Sequence, residues 1–114
     1  MHMRKAIIGD IKDIHRLLNH YADQGLLLPR SLSELYDHLR DYFVLAADDN
    51  SNSIHGVCGL RICWEDLAEI KSLAISEDQQ GKGSGIRLVE TCLEDSRSLG
   101  LKRCLPSPMC PTFL

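Results

Sequence analysis

Three glycines at alternate positions, Gly81, Gly83 and Gly85, follow Gln80 and precede an apolar-periodic stretch, with Lys82 and Ser84 between them. That pattern suits anion capture. Glycine lets the backbone approach a ligand without a Cβ in the way. The N–H groups of a helix's first turn have no acceptor within the helix, and the helix dipole favours negative charge there. A Gly-rich turn leading into a helix is therefore a cradle for a phosphate or diphosphate, and Lys82 adds a mobile positive charge. Spacing separates this turn from two common phosphate motifs. A P-loop needs G-x-x-x-x-G-K-[ST], whereas Lys82 is followed by Gly83. The dinucleotide fingerprint needs G-x-G-x-x-G after a first strand, whereas Gly81-x-Gly83-x-Gly85 comes after several strands.

Metal chemistry has little support. The cysteines are Cys58, Cys63, Cys92, Cys104 and Cys110, an odd number with no C-x-x-C pair. Zinc sites want tight Cys or His pairs, and Cys58 and Cys63 lie in an apolar run at poor ligand spacing. The thiols read as small core hydrophobes, with no metal site. His15 and His20 do not share a helix face and read as ordinary helix residues.

The elements that must position the turn follow from periodicity. Residues 3–8 read as a first strand. Asp10 stands at an N-cap position, and Ile11, Ile14, Leu17, Leu18 and Tyr21 then recur at helical spacing. Gly25 stops that helix. Leu26-Leu27-Leu28-Pro29-Arg30 is an apolar loop, which either covers the core or forms part of a binding wall. Ser31-Leu32-Ser33-Glu34 is a capping box opening a second helix to about Arg40, with Leu32, Leu35, Tyr36 and Leu39 on its inner side. Residues 43–47 and Ile54 to about Trp64 read as an antiparallel hairpin across the polar stretch 48–53. Leu67 to Ile75 is a further strand with Glu69 and Lys71 interleaved. A third helix after the glycines buries Leu88, Val89, Cys92, Leu93 and Ser96, Gly100 ends it, and residues 101–105 start another strand. The order β-α-α-β-β-β-α-β predicts an α+β or mixed α/β class.

Bulk properties exclude other classes. The 114 residues fit one domain, and 44% apolar with 25% charged residues is ordinary for a globular chain. A net charge of −3 speaks against a broad nucleic-acid or membrane surface. No run approaches the length needed to span a bilayer, and no apolar signal-peptide run opens the chain. The expectation is a cytoplasmic protein with no nucleic-acid or membrane partner.

Gln80, Gly83 and Gly85 occupy the spacing Q/R-x-x-G-x-G/A, with Leu73-Ala74-Ile75-Ser76 on the strand directly upstream. This resembles the acetyl-CoA motif of the GNAT superfamily of N-acetyltransferases, and the preceding element order resembles that family too. The resemblance implies a mostly antiparallel central sheet with flanking helices, and a domain over residues 1–105. It implies that Leu73, Ala74 and Ile75 lie along the pantetheine arm of acetyl-CoA while Gln80, Gly81, Lys82, Gly83, Ser84 and Gly85 hold its diphosphate. Three segments, 25–31, 64–70 and 72–75, are similar to the acetyltransferase domain of N-acetylglutamate synthases. That implies an amino-acid acceptor such as glutamate.

On that footing the acceptor amine must lose a proton, and Glu69 is the first candidate base with Glu65 the second. The alternative for either is a solvated charge or an ion pair with Lys71. A backbone N–H near residues 73–75 is the expected oxyanion donor. Arg30, then Arg61, are the candidates for a substrate carboxylate. Past Leu105 the pattern is lost, and three prolines fall within residues 106–114. The expectation is an atypical Pro-rich tail and a C-terminal end that is truncated or altered. An uncovered sheet edge would follow, open to a homodimer contact. A CoA-binding or interaction module without turnover is the alternative function.

Overall fold

The computed structural model describes residues 1–27, 29–49 and 53–106. Leu28 of the apolar loop, 50–52 of the polar turn and most of the Pro-rich tail lie outside the described residues.

Strand β1 (His2–Lys5) leads through a 3-10 turn (Ile8–Asp10) into helix α1 (Ile11–Ala22). Helix α2 (Leu32–Asp37) and a second 3-10 turn (Leu39–Asp41) follow. Strands β2 (Tyr42–Ala46), β3 (Ile54–Trp64) and β4 (Leu67–Ile75) then run as consecutive antiparallel neighbours. A third 3-10 turn (Glu77–Gln79) precedes helix α3 (Ser84–Ser98), and β5 (Arg103–Pro106) pairs in parallel with β4. Among the described residues the sheet order is β1-β2-β3-β4-β5. The α+β class, the element order and the antiparallel hairpin are as read from the sequence.

The sheet has a core on each face. On one, Ile11, Ile14, Leu18 and Tyr21 of α1 and Leu35 of α2 pack on Tyr42, Val44, Val57 and Ala74. On the other, Leu88 and Cys92 of α3 pack on Phe43, Leu45, Cys58, Leu73 and Ile75. Complete burial of each Ile or Leu contributes about 1.5–3 kcal/mol, so the apolar stripes of α1 and α3 fix both helices on the sheet. The buried thiols of Cys58 and Cys92 act as core hydrophobes.

Three local expectations are corrected. The first strand ends at Lys5. Asp10 does stand at the start of α1, but its side chain makes no cap. Its carboxylate turns back to the Arg4 guanidinium (2.6 and 3.0 Å) and the Ile7 N–H (2.9 Å), which winds 8–10 into a 3-10 turn. In α2 the capping box forms as expected, with the Glu34 N–H donating to Ser31 Oγ at 3.1 Å. The helix is short, however, and only Leu35 points fully inward, while Leu32 (38% exposed) and Tyr36 (46%) face solvent. Six residues make under two turns, too few to bury a four-residue stripe.

Candidate functional site

The end of β4 and the start of α3 build the site. Gly81 (φ 77°) and Gly83 (φ 79°) both adopt left-handed backbone, which favours glycine. Gly83 is the N-cap of α3, so no side chain caps the helix. The first helical bond runs from the Arg87 N–H to the Gly83 carbonyl at 3.1 Å. The N–H groups of Ser84, Gly85 and Ile86 therefore have no acceptor within the helix. Among the described residues, a Cβ at Gly81 or Gly83 would meet no atom within 4 Å beyond its chain neighbours. No acidic residue occupies the first turn. The result is an uncapped, positively polarised helix end behind open space, flanked by exposed Lys82.

Gln80 serves this turn from inside. Its side-chain amide donates to the Tyr21 hydroxyl at 2.7 Å and to the Ile75 carbonyl at 3.1 Å. The Tyr21 hydroxyl itself donates to the Ile75 carbonyl, and burial pushes that phenol's pKa up. In the sequence Tyr21 reads only as part of the apolar face of α1. The available signal was its hydroxyl, which when buried demands a partner.

β4 carries a bulge that periodicity did not reveal. Val57 pairs with Ala74 and Gly59 with Lys71, so Ser72 and Leu73 together oppose Cys58. Ser72 has φ 54°, a left-handed value rare outside glycine. The bulge resets the alternation of faces. Ile70 and Leu73, three apart, both join the α3-side core, while Ala74 joins the α1 side. Beyond the bulge the Ser76 N–H donates to the His55 carbonyl at 2.8 Å. Antiparallel alternation then turns the N–H and C=O of Ile75 away from β3. Pairing with β5 runs from Leu67 to Ile70 among the described residues. The stretch from Leu73 to Ile75 thus offers backbone groups on the side away from β3, next to the glycine turn.

The remaining candidates lie along the α1–α2 side and its margins. Glu69 pairs with Arg61 directly across the strands at 3.3 Å. The ion pair with Lys71, one of the alternatives for Glu69, does not form. Lys71, 4% exposed, reaches Asp41 at 3.0 Å and sits 5.3 Å above the Tyr42 ring. Burial raises the Tyr42 pKa, although Ser72 hydrogen-bonds its hydroxyl and Arg30 lies close enough to oppose the shift. Arg30 is 3.7 Å from Glu34, and among the described residues its buried Nε has no hydrogen-bond partner. Arg30 and the Tyr42–Ser72 pair therefore gather beside the bulge. Glu65 stands apart, exposed on the two-residue β3–β4 turn at the opposite end of β4 from the glycines.

Two further features bound the site. A cavity of about 680 Å³ opens among Ile7, Ile8, Leu39, Leu60, Ile62 and Leu99, beside the last turn of α3 and so away from the glycine turn. No grouping of His, Cys, Asp and Glu among the described residues is fit to hold a metal ion.

Comparison with known proteins fits this geometry. The acetyltransferase (GNAT) family model matches residues 11–106. An uncharacterised N-acetyltransferase of Chlorobaculum tepidum is 38% identical over 88 residues, covering 77% of this chain and 55% of its own length. Rv2747 from Mycobacterium tuberculosis, solved in complex with CoA, superposes with a TM-score of 0.85 at 29% identity, covering 92% of this chain and 63% of that one. The N-acetylglutamate synthase of Neisseria gonorrhoeae, solved with coenzyme A and N-acetyl-glutamate, superposes with a TM-score of 0.81 at 32% identity, over 88% of this chain and 23% of that one. The chain thus spans about half the length of the first of these relatives and less than a quarter of the synthase. No helix among the described residues is long and apolar enough to cross a membrane.

Proposed function

The chain belongs to the acetyltransferase (GNAT) family, and from that premise we propose that it takes acetyl-CoA at the turn before α3 and passes the acetyl group to the amino group of a small molecule, an amino acid such as glutamate. One observation carries this reading: a helix capped by a left-handed glycine, with open space among the described residues in front of the Cβ position. Such an end satisfies its amides with an anion, and the diphosphate of CoA is an anion of the right kind. Residues 80–85 fit the group, with Lys82 at the rim.

Bound acetyl-CoA would supply a thioester, whose acyl carbon accepts an amine and whose sulfur leaves as a thiol. The chain's own residues would do the rest. Glu69, held beside Arg61 on the face that leads to Lys71, is the proposed acceptor of the amine proton, directly or through one water. A backbone N–H near Leu73 to Ile75 is the proposed donor to the acyl oxygen as it gains charge. Arg30 is the proposed partner of an acceptor carboxylate. It has a buried donor to offer, and a guanidinium fork matches carboxylate geometry. Arg61, the second candidate for that role, is paired with Glu69 and so also positions the Glu69 carboxylate.

The acceptor class also draws on the neighbours. The Neisseria gonorrhoeae enzyme was solved with N-acetyl-glutamate, and its 32% identity to this chain supports an amino-acid acceptor. A thiol-release assay with acetyl-CoA and a panel of amino acids and simple amines tests the proposal. Release that depends on a carboxylate-bearing amine is the expected result. CoA binding without release from any acceptor would instead favour a binding module, and no binding would overturn the reading.

A further inference from the structure

Where β4 ends, the Ile75 carbonyl faces away from β3 and receives two side-chain donors, the Tyr21 hydroxyl and the Gln80 amide. These donors are also bonded to each other at 2.7 Å. Three groups from α1, β4 and the glycine turn therefore close one small hydrogen-bonded triangle. Tyr21 is 2% exposed, so water does not replace its contacts freely. A single core residue would not need this arrangement. A phenylalanine would fill the same space, and Gln80 could reach solvent.

Tyr21 is engaged on its backbone side as well. Its carbonyl accepts the Gln24 N–H at 3.2 Å and the Leu26 N–H at 3.0 Å, closing α1 and turning the chain into the loop toward Arg30. The preceding residue adds a parallel tie. His20 lies edge-on against the Tyr21 ring, 5.0 Å between centroids, and its Nε2 is 3.1 Å from Glu77 on the 3-10 turn before Gln80. The last turn of α1 thus grips the glycine turn with its side chains while its backbone launches the loop on the acceptor side.

We propose that Tyr21 and Gln80 are a positioning pair that sets the glycine turn against the end of β4, so that the α3 amides meet a diphosphate while Leu73–Ile75 lie along the rest of the same ligand. Neither side chain needs to touch the ligand. Both act through the Ile75 carbonyl, the shared anchor of the two half-sites. The inference rests on the proposed CoA site and deepens it.

The test is calorimetric titration of CoA, and separately of pantetheine, into the wild-type chain, Tyr21→Phe, Gln80→Leu and the double variant, with a thermal midpoint for each. Each single change should weaken CoA binding roughly three- to tenfold, the scale of one neutral hydrogen bond. The double variant should lose far less than the product of the two, because one network is broken either way. Pantetheine has no diphosphate and should bind all four proteins alike, whereas a general loosening of the fold would weaken both ligands together. If Tyr21→Phe does not fold, Gln80→Leu, changed at a half-buried position, decides alone by the CoA-to-pantetheine contrast. Equal CoA affinity in wild type and the variants, or losses shared equally by pantetheine, would overturn the pair's role and leave the CoA site standing. A wild-type chain that binds no CoA would overturn the site itself.

Discussion

Replacing Gly83 by leucine separates the cost to the fold from the cost to the site. Gly83 holds φ 79°, where a side chain other than glycine's costs roughly 1–2 kcal/mol of backbone strain. Among the described residues no atom beyond the chain neighbours lies within 4 Å of the new Cβ, so strain should be the main loss to the fold. For a domain of about this size that lowers the melting midpoint by roughly 4–10 °C. The site should lose far more, because leucine fills the space in front of the α3 amides. Losing two hydrogen bonds to a charged group, at about 1.5–3 kcal/mol each, weakens binding roughly 10²- to 10⁴-fold. Gly100 is the internal control, being equally left-handed (φ 86°) and equally open. It lies at the other end of α3, about 22 Å along the axis. Gly100→Leu should therefore show a similar melting loss with CoA affinity unchanged. Calorimetry and a thermal scan on both variants read the two costs. A Gly83→Leu protein that binds CoA within about threefold of wild type, or a Gly100→Leu protein that loses as much, would refute the reasoning.

The other predictions address the base, the buried ion pair and the strand packing. Glu69→Gln should lower the acetyl-transfer rate roughly 10²- to 10⁴-fold with CoA affinity unchanged; a rate within threefold of wild type would remove Glu69 as the base. Burial pushes the Asp10 carboxyl upward, but the Arg4 guanidinium and the Ile7 N–H outweigh it, so the pKa lies below its ordinary value. A depressed folded value means that Asp10 stabilises the fold fully above about pH 4 and loses that contribution as pH falls through the folded pKa. Asp10→Asn should cost about 2 kcal/mol in urea melts at pH 7 and flatten the acid limb; parallel pH–stability curves would contradict this. A Cβ at Gly59 would lie 2.9 Å from both Lys71 Cγ and Tyr42 Cε1. Gly59→Ala should therefore cost about 1–3 kcal/mol, and an unchanged melting midpoint would show that Lys71 can step aside freely.

The parts of the fold set by local chemistry were legible in the sequence. The stripe Ile11-Ile14-Leu18-Tyr21, the Ser31–Glu34 capping box and the glycine turn each declare themselves within a few residues, and each is found in place. What escaped was set by long-range partners. The β4 bulge depends on Ser72 and Leu73 sharing one opposite residue, Cys58, which no pattern inside β4 announces. Lys71 looked available to Glu69 because both sit on one strand, yet Asp41, thirty positions away in sequence, holds it. Leu32 and Tyr36 fit an inward stripe, but α2 is too short to bury them. At the site, Gly81–Gly85 were readable from spacing, whereas the anchoring of Gln80 on Tyr21 required the helix and the turn to meet.

The most direct test is a two-dimensional amide NMR titration of the isotopically labelled chain with CoA. The largest shift changes should fall on Gly81 to Ile86, with a second group from Leu73 to Ile75. Changes confined to the cavity beside Ile7, Ile8 and Leu99, or none at millimolar CoA, would contradict it.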